Sequence, residues 1–355
     1  MIRLSVLQLR AQAITAAAAL IAFAALLAAT GPHLASLYAD SGLRGCRPAS
    51  CGHLASSFLQ QVGSTSPYAA EYPLSIVLIA LTPAVTGLFW GAPLLARELE
   101  TGTLALAWNQ SITRARWLAV KLTVGGLAAM VVTESLSLLF TWWAAPLGRA
   151  AGLGGSGTSL GMNKFNPLAF VTHGTTPLGY AAFAFTLGVT AGALIRRTVP
   201  AMAVTLAIFA ALQVAMPLWI RPNLFPASHT TMAINFNDTT LNLYTANSPH
   251  AFTFSLAADQ GLPGQPEAWI QSSGAADAAG HPVSRFVPSA CLPAASSSGP
   301  GPGLANCLTS RGIRIAVTYQ PASRYWPLQW TETGIYLVLS LVLAGYCFRR
   351  LGRLS

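Results

Sequence analysis

Charged residues are scarce in this sequence. Lys and Arg number 20 and Asp and Glu number 10 among 355 residues, while 53% of residues are hydrophobic. About a quarter of residues are charged in soluble globular proteins, so the composition excludes that class and indicates an integral membrane protein. The net charge of +10 comes from basic residues scattered beside apolar runs rather than from a basic stripe with aromatics, which argues against nucleic-acid binding.

Motifs for nucleotide or metal chemistry are also missing. No G-x-x-x-x-G-K-[ST] phosphate loop is present, and the glycine run from Gly152 to Gly161 lacks the Lys-Ser/Thr ending. There is no H-E-x-x-H pair, and the six histidines are dispersed. We therefore predict that the chain catalyses no reaction and binds no metal or cofactor itself.

Long apolar runs are abundant instead. A membrane-spanning helix needs roughly 20 apolar residues. The first run exceeds the apolar core of a secretory signal peptide, so we expect it to be retained. The sequence predicts six spans: Ala11–Pro32, Pro73–Ala96, Leu122–Leu147, Thr175–Ile195, Thr198–Ile220 and Thr331–Phe348.

Basic residues predict the orientation of these spans, because Lys and Arg near span ends favour the cytoplasmic side. If the amino terminus is cytoplasmic, most basic residues near span ends fall in the short segments on the cytoplasmic side. Arg221 and Arg324 lie near outer span ends and depart from the rule. We predict a multi-pass protein of the bacterial cell membrane with both termini cytoplasmic.

Four of the five cysteines fall in predicted outer loops, where disulfides persist. Their spacing favours Cys46 with Cys51 and Cys291 with Cys307, and we expect Cys347 to be a buried thiol. A metal site is the weaker interpretation, because no second C-x-x-C or nearby histidine pair completes it.

The predicted domain organisation has three parts. Residues 1–220 hold spans 1 to 5, residues 221–330 form an extracytoplasmic domain, and residues 331–355 hold span 6 with a cytoplasmic tail. In the middle part, HTTMAINFNDTTLNLYT and RIAVTYQP have the composition of strands, whereas PSACLPAASSSGPGPGLANCL is typical of a loop. This domain could act as a stabilising cap or contact substrate directly.

The connection between spans 2 and 3 concentrates charge. Glu98 and Glu100 precede Thr101, and Leu104 and Trp108 fall on one helical face. This pattern predicts a short amphipathic helix over about residues 98–110 on the cytoplasmic membrane surface. In the alternative interpretation, the acids merely balance basic residues of the same segment, which are Arg114, Arg116 and Lys121.

The stretch ARELETGTLALAWNQSITRARWLAVKL resembles the E-x-E-x-G-T region of ABC-2-type transporter permeases, in particular actinobacterial ones, and PASRYWPLQWTETGIYLVLSLVLAGYCFRR resembles their carboxy-terminal end. The resemblance implies an all-α membrane protein with six transmembrane helices, similar to type V exporters, here with a mixed or β-rich domain between spans 5 and 6. The sequence departs from the family pattern at Ser111-Ile112-Thr113, where relatives often carry proline, and in the large size of the domain between spans 5 and 6.

In that family the segment after span 2 is the coupling helix, which docks into the ATP-binding subunit. The implied coupling residues are Arg97, Glu98, Glu100, Thr101, Gly102 and Thr103, and we add Trp108 on the docking helix. The implied partners are two copies of an ABC ATPase, which bind the ATP and Mg, and a second permease copy in a homodimer. The implied function is export of a drug-like, lipid-like or peptide substrate.

Two acids lie within the predicted spans. Glu134 lies deep in span 3, where it could face a substrate pathway, line the dimer seam or serve structure alone. Glu332, near the outer end of span 6, is predicted to lie at the membrane interface. Two rival functions stay open, an ion-coupled secondary transporter and a membrane sensor whose outer domain binds a ligand.

Overall fold

The computed structural model describes residues 2–46, 48–100, 113–154, 163–233, 241–245, 252–256, 262, 265, 267–281, 283, 291 and 302–352. Within these residues, six helices are long and apolar enough to cross a membrane. We call them spans 1 to 6, in order Gln12–Asp40, Tyr68–Glu100, Ala115–Gly152, Thr176–Ile195, Thr198–Asn223 and Ala322–Arg350. The chain is thus mainly helical with six candidate spans, as predicted.

The α-helices are α1 (Ile2–Asp40), α2 (Pro48–Ser64), α3 (Tyr68–Thr86), α4 (Ala92–Glu100), α5 (Arg114–Gly152), α6 (Pro167–Thr172), α7 (Thr176–Ile195), α8 (Thr198–Ala215), α9 (Pro302–Ser310) and α10 (Tyr325–Gly352). A π-helical segment, Gly87–Gly91, continues α3 into α4. Helix α7 ends where Arg196 adopts a left-handed φ of 57°, and α8 begins two residues later. Spans 4 and 5 are therefore joined by a minimal turn.

Exposed tryptophans and basic residues mark two levels of the bundle. Trp142 and Trp330 are 57% and 62% exposed, as is typical of rings at a membrane interface. Along their helices they lie about 32 Å from Lys121 and about 29 Å from Arg349, respectively. These lengths match a hydrocarbon layer of about 30 Å. We refer below to the tryptophan end and the basic end of the bundle.

Helices α1 and α5 continue beyond the tryptophan level. The predicted first span ends at Pro32, but α1 runs on to Asp40 because its last turns pack into a shared core with α2 and α5. Leu34 and Leu59 are fully buried there, and the rings of Tyr38 and Phe58 meet edge to face at 5.6 Å. A helical extension therefore rises from spans 1 and 3 beyond the membrane.

The segment between α5 and α7 folds back against the bundle. Asn166 caps α6 by accepting the Leu168 N–H at 3.1 Å, and the Ser137 hydroxyl donates to the Thr172 carbonyl at 2.8 Å. Next to α6, burial lowers the pKa of His173, whose imidazole lies 5.0 Å from the Phe140 ring. The segment therefore presents a neutral, packed face to span 3.

A small sheet follows span 5. Strands β1 (Ser228–Met232), β4 (Trp269–Ala276) and β5 (Arg314–Gln320) form an antiparallel sheet in the order β1-β5-β4, and β2 (Leu241–Thr245) pairs with β3 (Phe252–Leu256). Strands β1, β2 and β5 were predicted, whereas β3 and β4 were not. Ile315, Val317 and Leu308 of α9 fill the core. Helix α9 corrects the prediction of a loop throughout residues 288–308.

Both disulfides form as predicted, between Cys46 and Cys51 and between Cys291 and Cys307. The first closes the turn between α1 and α2, and the second fastens α9 to the sheet core. Cys347 is a buried free thiol.

Removing the second disulfide should loosen the sheet domain. It links residues separated by 16 positions, which in the chain-entropy model contributes about 3 kcal/mol. We expect Cys291→Ser/Cys307→Ser to raise the rate of limited proteolysis within residues 221–330. Cys46→Ser/Cys51→Ser, which opens a separation of 5, is the matched control and should leave that rate unchanged. Equal cleavage of the Cys291→Ser/Cys307→Ser variant and the unmodified protein would contradict the expectation.

Candidate functional site

The predicted coupling segment begins at the basic end of the bundle. Helix α4 ends at Glu100 and α5 begins at Arg114. Arg97, Glu98 and Glu100 lie on the last turn of α4, with Arg97 on its exposed side. The other predicted coupling residues lie outside the described part of the chain; these are Thr101, Gly102, Thr103 and Trp108.

Glu98 forms an ion pair with Lys121 of α5. The Lys121 side chain is only 4% exposed, and its ammonium lies 4.3 Å from the centre of the Trp117 ring. A buried lysine requires a counter-charge, so this contact ties the end of α4 firmly to span 3. The interpretation of the acids as balancing charges therefore holds for Glu98 and Lys121.

Glu100 reaches a different helix. Its Oε2 accepts hydrogen bonds from the Thr198 N–H at 3.3 Å and from the Thr198 hydroxyl at 2.9 Å. Thr198 is the first residue of α8, where unpaired N–H groups and the helix dipole favour a carboxylate. Two neighbouring acids thus join span 2 to span 3 and to span 5.

Next to this junction, spans 2 and 4 approach so closely that only glycine fits at their contact positions. A Cβ on Gly188 would lie 2.2 Å from the Gly87 carbonyl oxygen, and one on Gly91 would lie 2.5 Å from the Phe185 carbonyl oxygen. Gly192 meets the Ala92 carbonyl oxygen at 2.4 Å in the same way. The contact consists of two G-x-x-x-G motifs that face each other. Small residues of this kind allow helices to pack closely within a membrane.

At the tryptophan end, a buried ion pair connects spans 5 and 6. Arg221 donates from Nε to Glu332 Oε2 at 2.9 Å and from Nη2 to Oε1 at 3.0 Å, and both side chains are fully buried. The Tyr180 hydroxyl of span 4 donates to the same carboxylate. Glu332 therefore lies near the level of Trp330, but its carboxylate is buried between spans and faces Arg221 and Tyr180. The pairing also explains why Arg221 departs from the rule for basic residues.

Aromatic rings continue this network into the sheet domain. The Arg221 guanidinium lies 3.9 Å from the centre of the Phe170 ring, and Phe165 stacks on Trp269 of β4 at 5.9 Å. Phe165 and Phe170 are themselves 6.4 Å apart. Lys164 adds an ion pair with Glu267 at 2.6 Å. The sheet domain therefore packs on the segment between spans 3 and 4, together with Tyr325 and Leu328 of span 6.

Glu134 stands apart from both ends of the bundle. It lies about 20 Å along α5 from Lys121 and about 12 Å from Trp142. Its Oε2 is buried and has no hydrogen-bond partner within the described structure. Its role in a pathway or a dimer seam stays a prediction.

Comparison with known protein families places this architecture. The family model described as "ABC-2 membrane transporter related" matches residues 17–221, more than half of the chain. The chain belongs to this family. No curated protein and no solved structure matches the chain. Membership in the ABC-2 family makes this a multi-pass membrane component of a transporter, a class that works with an ABC ATPase.

The ABC-2 match includes the junction built by Glu98, Glu100 and Lys121 and extends to Arg221. It ends before the sheet domain and span 6, so both lie outside the matched residues. Across the described ranges, no group of three or more His, Cys, Asp or Glu is placed to hold a metal ion.

Sequence reasoning missed two features of this ABC-2 protein. The paired glycines were visible as GLFWG at residues 87–91 and GVTAG at residues 188–192. The Arg221–Glu332 pair had a weaker signal, namely two charges of opposite sign at the same end of consecutive spans.

Proposed function

We propose that this chain is the permease subunit of an ATP-binding cassette exporter, which moves an amphipathic compound with ATP hydrolysed by a separate ATPase. The basic end faces the cytoplasm in this proposal, and the sheet domain lies outside. Two copies of the chain, forming a homodimer, bind two ATPase subunits, and the chain itself catalyses nothing.

One observation carries this proposal, the double junction at the end of α4. Glu98 pairs with Lys121 of span 3, and Glu100 caps the first turn of span 5. A force applied to the segment after Glu100 therefore acts on three spans together. This is what a coupling element requires, since an ATPase can move the permease only through contacts that its closure displaces.

Two substitutions separate docking from transmission. We expect Trp108→Ala to weaken the complex with the partner ABC ATPase by about 30-fold in Kd, the typical effect of removing an interface tryptophan. Glu98→Gln should leave the ATPase bound but reduce ATP-dependent transport, because the link to Lys121 loses its charge. Native mass spectrometry of the co-expressed complex measures the first effect, and transport in proteoliposomes measures the second.

Glu267→Gln is the matched control, since it removes an acid from a partly exposed pair at the opposite end of the bundle. It should change neither reading. A chain that never co-purifies with an ATPase would overturn the proposal and favour the ion-coupled transporter or the sensor.

A further inference from the structure

Glu134 lies on the outward side of span 3. Leu127, Val131 and Leu138 share its helix face and are 57%, 61% and 59% exposed. Glu134 itself is half-buried, and Ser137, one turn further along, is buried. The opposite face of α5 carries Ala129, Leu136 and Phe140, which are buried in the bundle. A carboxyl group thus interrupts an otherwise apolar, outward-facing strip within the hydrocarbon layer.

Within the described part of the chain, no basic side chain is available to neutralise this carboxylate. Lys121 and Arg149 lie at the two ends of the same helix, about 20 and about 22 Å away along its axis. Arg221, the basic residue of span 5, is already paired with Glu332. A second copy of the chain would repeat the same inventory. A counter-charge for the ionised form of Glu134 would therefore come from outside the described part of the chain.

An unpaired acid at this depth is unfavourable by roughly 3 kcal/mol on insertion scales, and such residues usually serve function. The buried Oε2 makes no hydrogen bond within the described structure, so it contributes no contact that would justify that cost for the fold. The negative carboxylate requires a positive charge in the ligand, and the apolar strip requires an apolar part beside that charge.

We propose that Glu134 binds an amphipathic organic cation. The carboxylate pairs with the positive charge, and the apolar part of the ligand lies along Leu127, Val131 and Leu138. The inference rests on the proposed exporter function and names its substrate class. A dimer seam without a ligand is the alternative that the test must separate.

Binding of tetraphenylphosphonium to the isolated permease in lipid nanodiscs tests the proposal without the ATPase. We expect Glu134→Gln to weaken binding at least about tenfold, which corresponds to the loss of one ion pair. Glu134→Asp should retain part of the affinity, and neutral triphenylphosphine oxide should not compete. Glu267→Gln, which removes the acid of the partly exposed pair with Lys164, is the control and should bind normally.

Labelling of the unmodified protein gives a second reading. Dicyclohexylcarbodiimide reacts with carboxyl groups in apolar surroundings, and tetraphenylphosphonium should protect Glu134 from it, as detected by peptide mass spectrometry. Unchanged binding by Glu134→Gln, or labelling without protection, would overturn the proposal and favour the seam. Assembly with the ATPase is measured separately, so the exporter function would stand or fall independently.

Discussion

Glu332→Gln should destabilise the protein by about 3–5 kcal/mol, because it leaves the buried Arg221 guanidinium without a counter-charge. The pair is fully buried, and Arg221 also packs on the Phe170 ring, so the cation cannot reach water without opening spans 4, 5 and 6. We expect the melting temperature of the detergent-purified protein to fall by about 10 °C. Thermal unfolding monitored by size-exclusion chromatography measures this fall in melting temperature.

Removing both partners distinguishes a lost charge pair from lost packing. Arg221→Met/Glu332→Met replaces the pair with apolar side chains and should recover most of the stability, because no unpaired charge remains. Glu267→Gln supplies the matched control at the Lys164 pair, whose side chains are 32% and 34% exposed. There the change should stay within about 1 kcal/mol. If Glu332→Gln melts like the unmodified protein, the pair does not stabilise the contact of spans 4, 5 and 6 at the tryptophan end.

The number and order of the spans could be predicted from hydropathy, since a bilayer imposes a length of apolar helix that is readable without tertiary contacts. Their ends could not. Helices α1 and α5 continue past the tryptophan level because Leu34, Tyr38 and Leu147 pack with α2. That stabilisation comes from contacts between distant segments, which hydropathy along a single segment does not contain.

The strands of the sheet domain also differ in how well their sequences predict them. Strand β5 contains the β-branched run that predicts a strand, and its alternate residues Ile315 and Val317 are buried. Strand β4 is rich in Ser, Gly and Ala, and the register shift between Ile270 and Ser272 hides its alternation. Pairing with β5 determines its conformation, and intrinsic preference does not.

The candidate site was predictable as a segment but not as contacts. The charge cluster after span 2 located Glu98 and Glu100 and included Lys121 among their possible partners, whereas the contact of Glu100 with Thr198 depends on how spans 2 and 5 meet. Insertion scales predict the depth of Glu332 from the falling cost of a charge near the headgroups, but they treat each residue alone and do not predict its partner. Its partner lies 111 residues away in sequence, and only the fold brings them together.

Gly188→Ala should have the other large effect, preventing close packing of spans 2 and 4. The added Cβ would lie 2.2 Å from the Gly87 carbonyl oxygen and 2.8 Å from the Ala92 nitrogen. Both are backbone atoms, so no side chain can rotate away and the helices must separate. Overpacking of this kind costs at least about 3 kcal/mol, and we expect little folded protein after detergent extraction.

Gly345→Ala on span 6 is the matched control, since among the described residues no atom beyond the neighbouring backbone of its own helix lies within 4 Å of the position that its methyl group would take. There the substitution should be neutral or stabilising by up to about 1 kcal/mol, because alanine favours the helix. Yield and melting temperature of the two variants, purified side by side, measure the contrast. Equal behaviour would mean that spans 2 and 4 do not meet through their glycines. Because α4 carries the junction to spans 3 and 5, loosening this contact should also reduce ATP-dependent transport by any Gly188→Ala protein that folds.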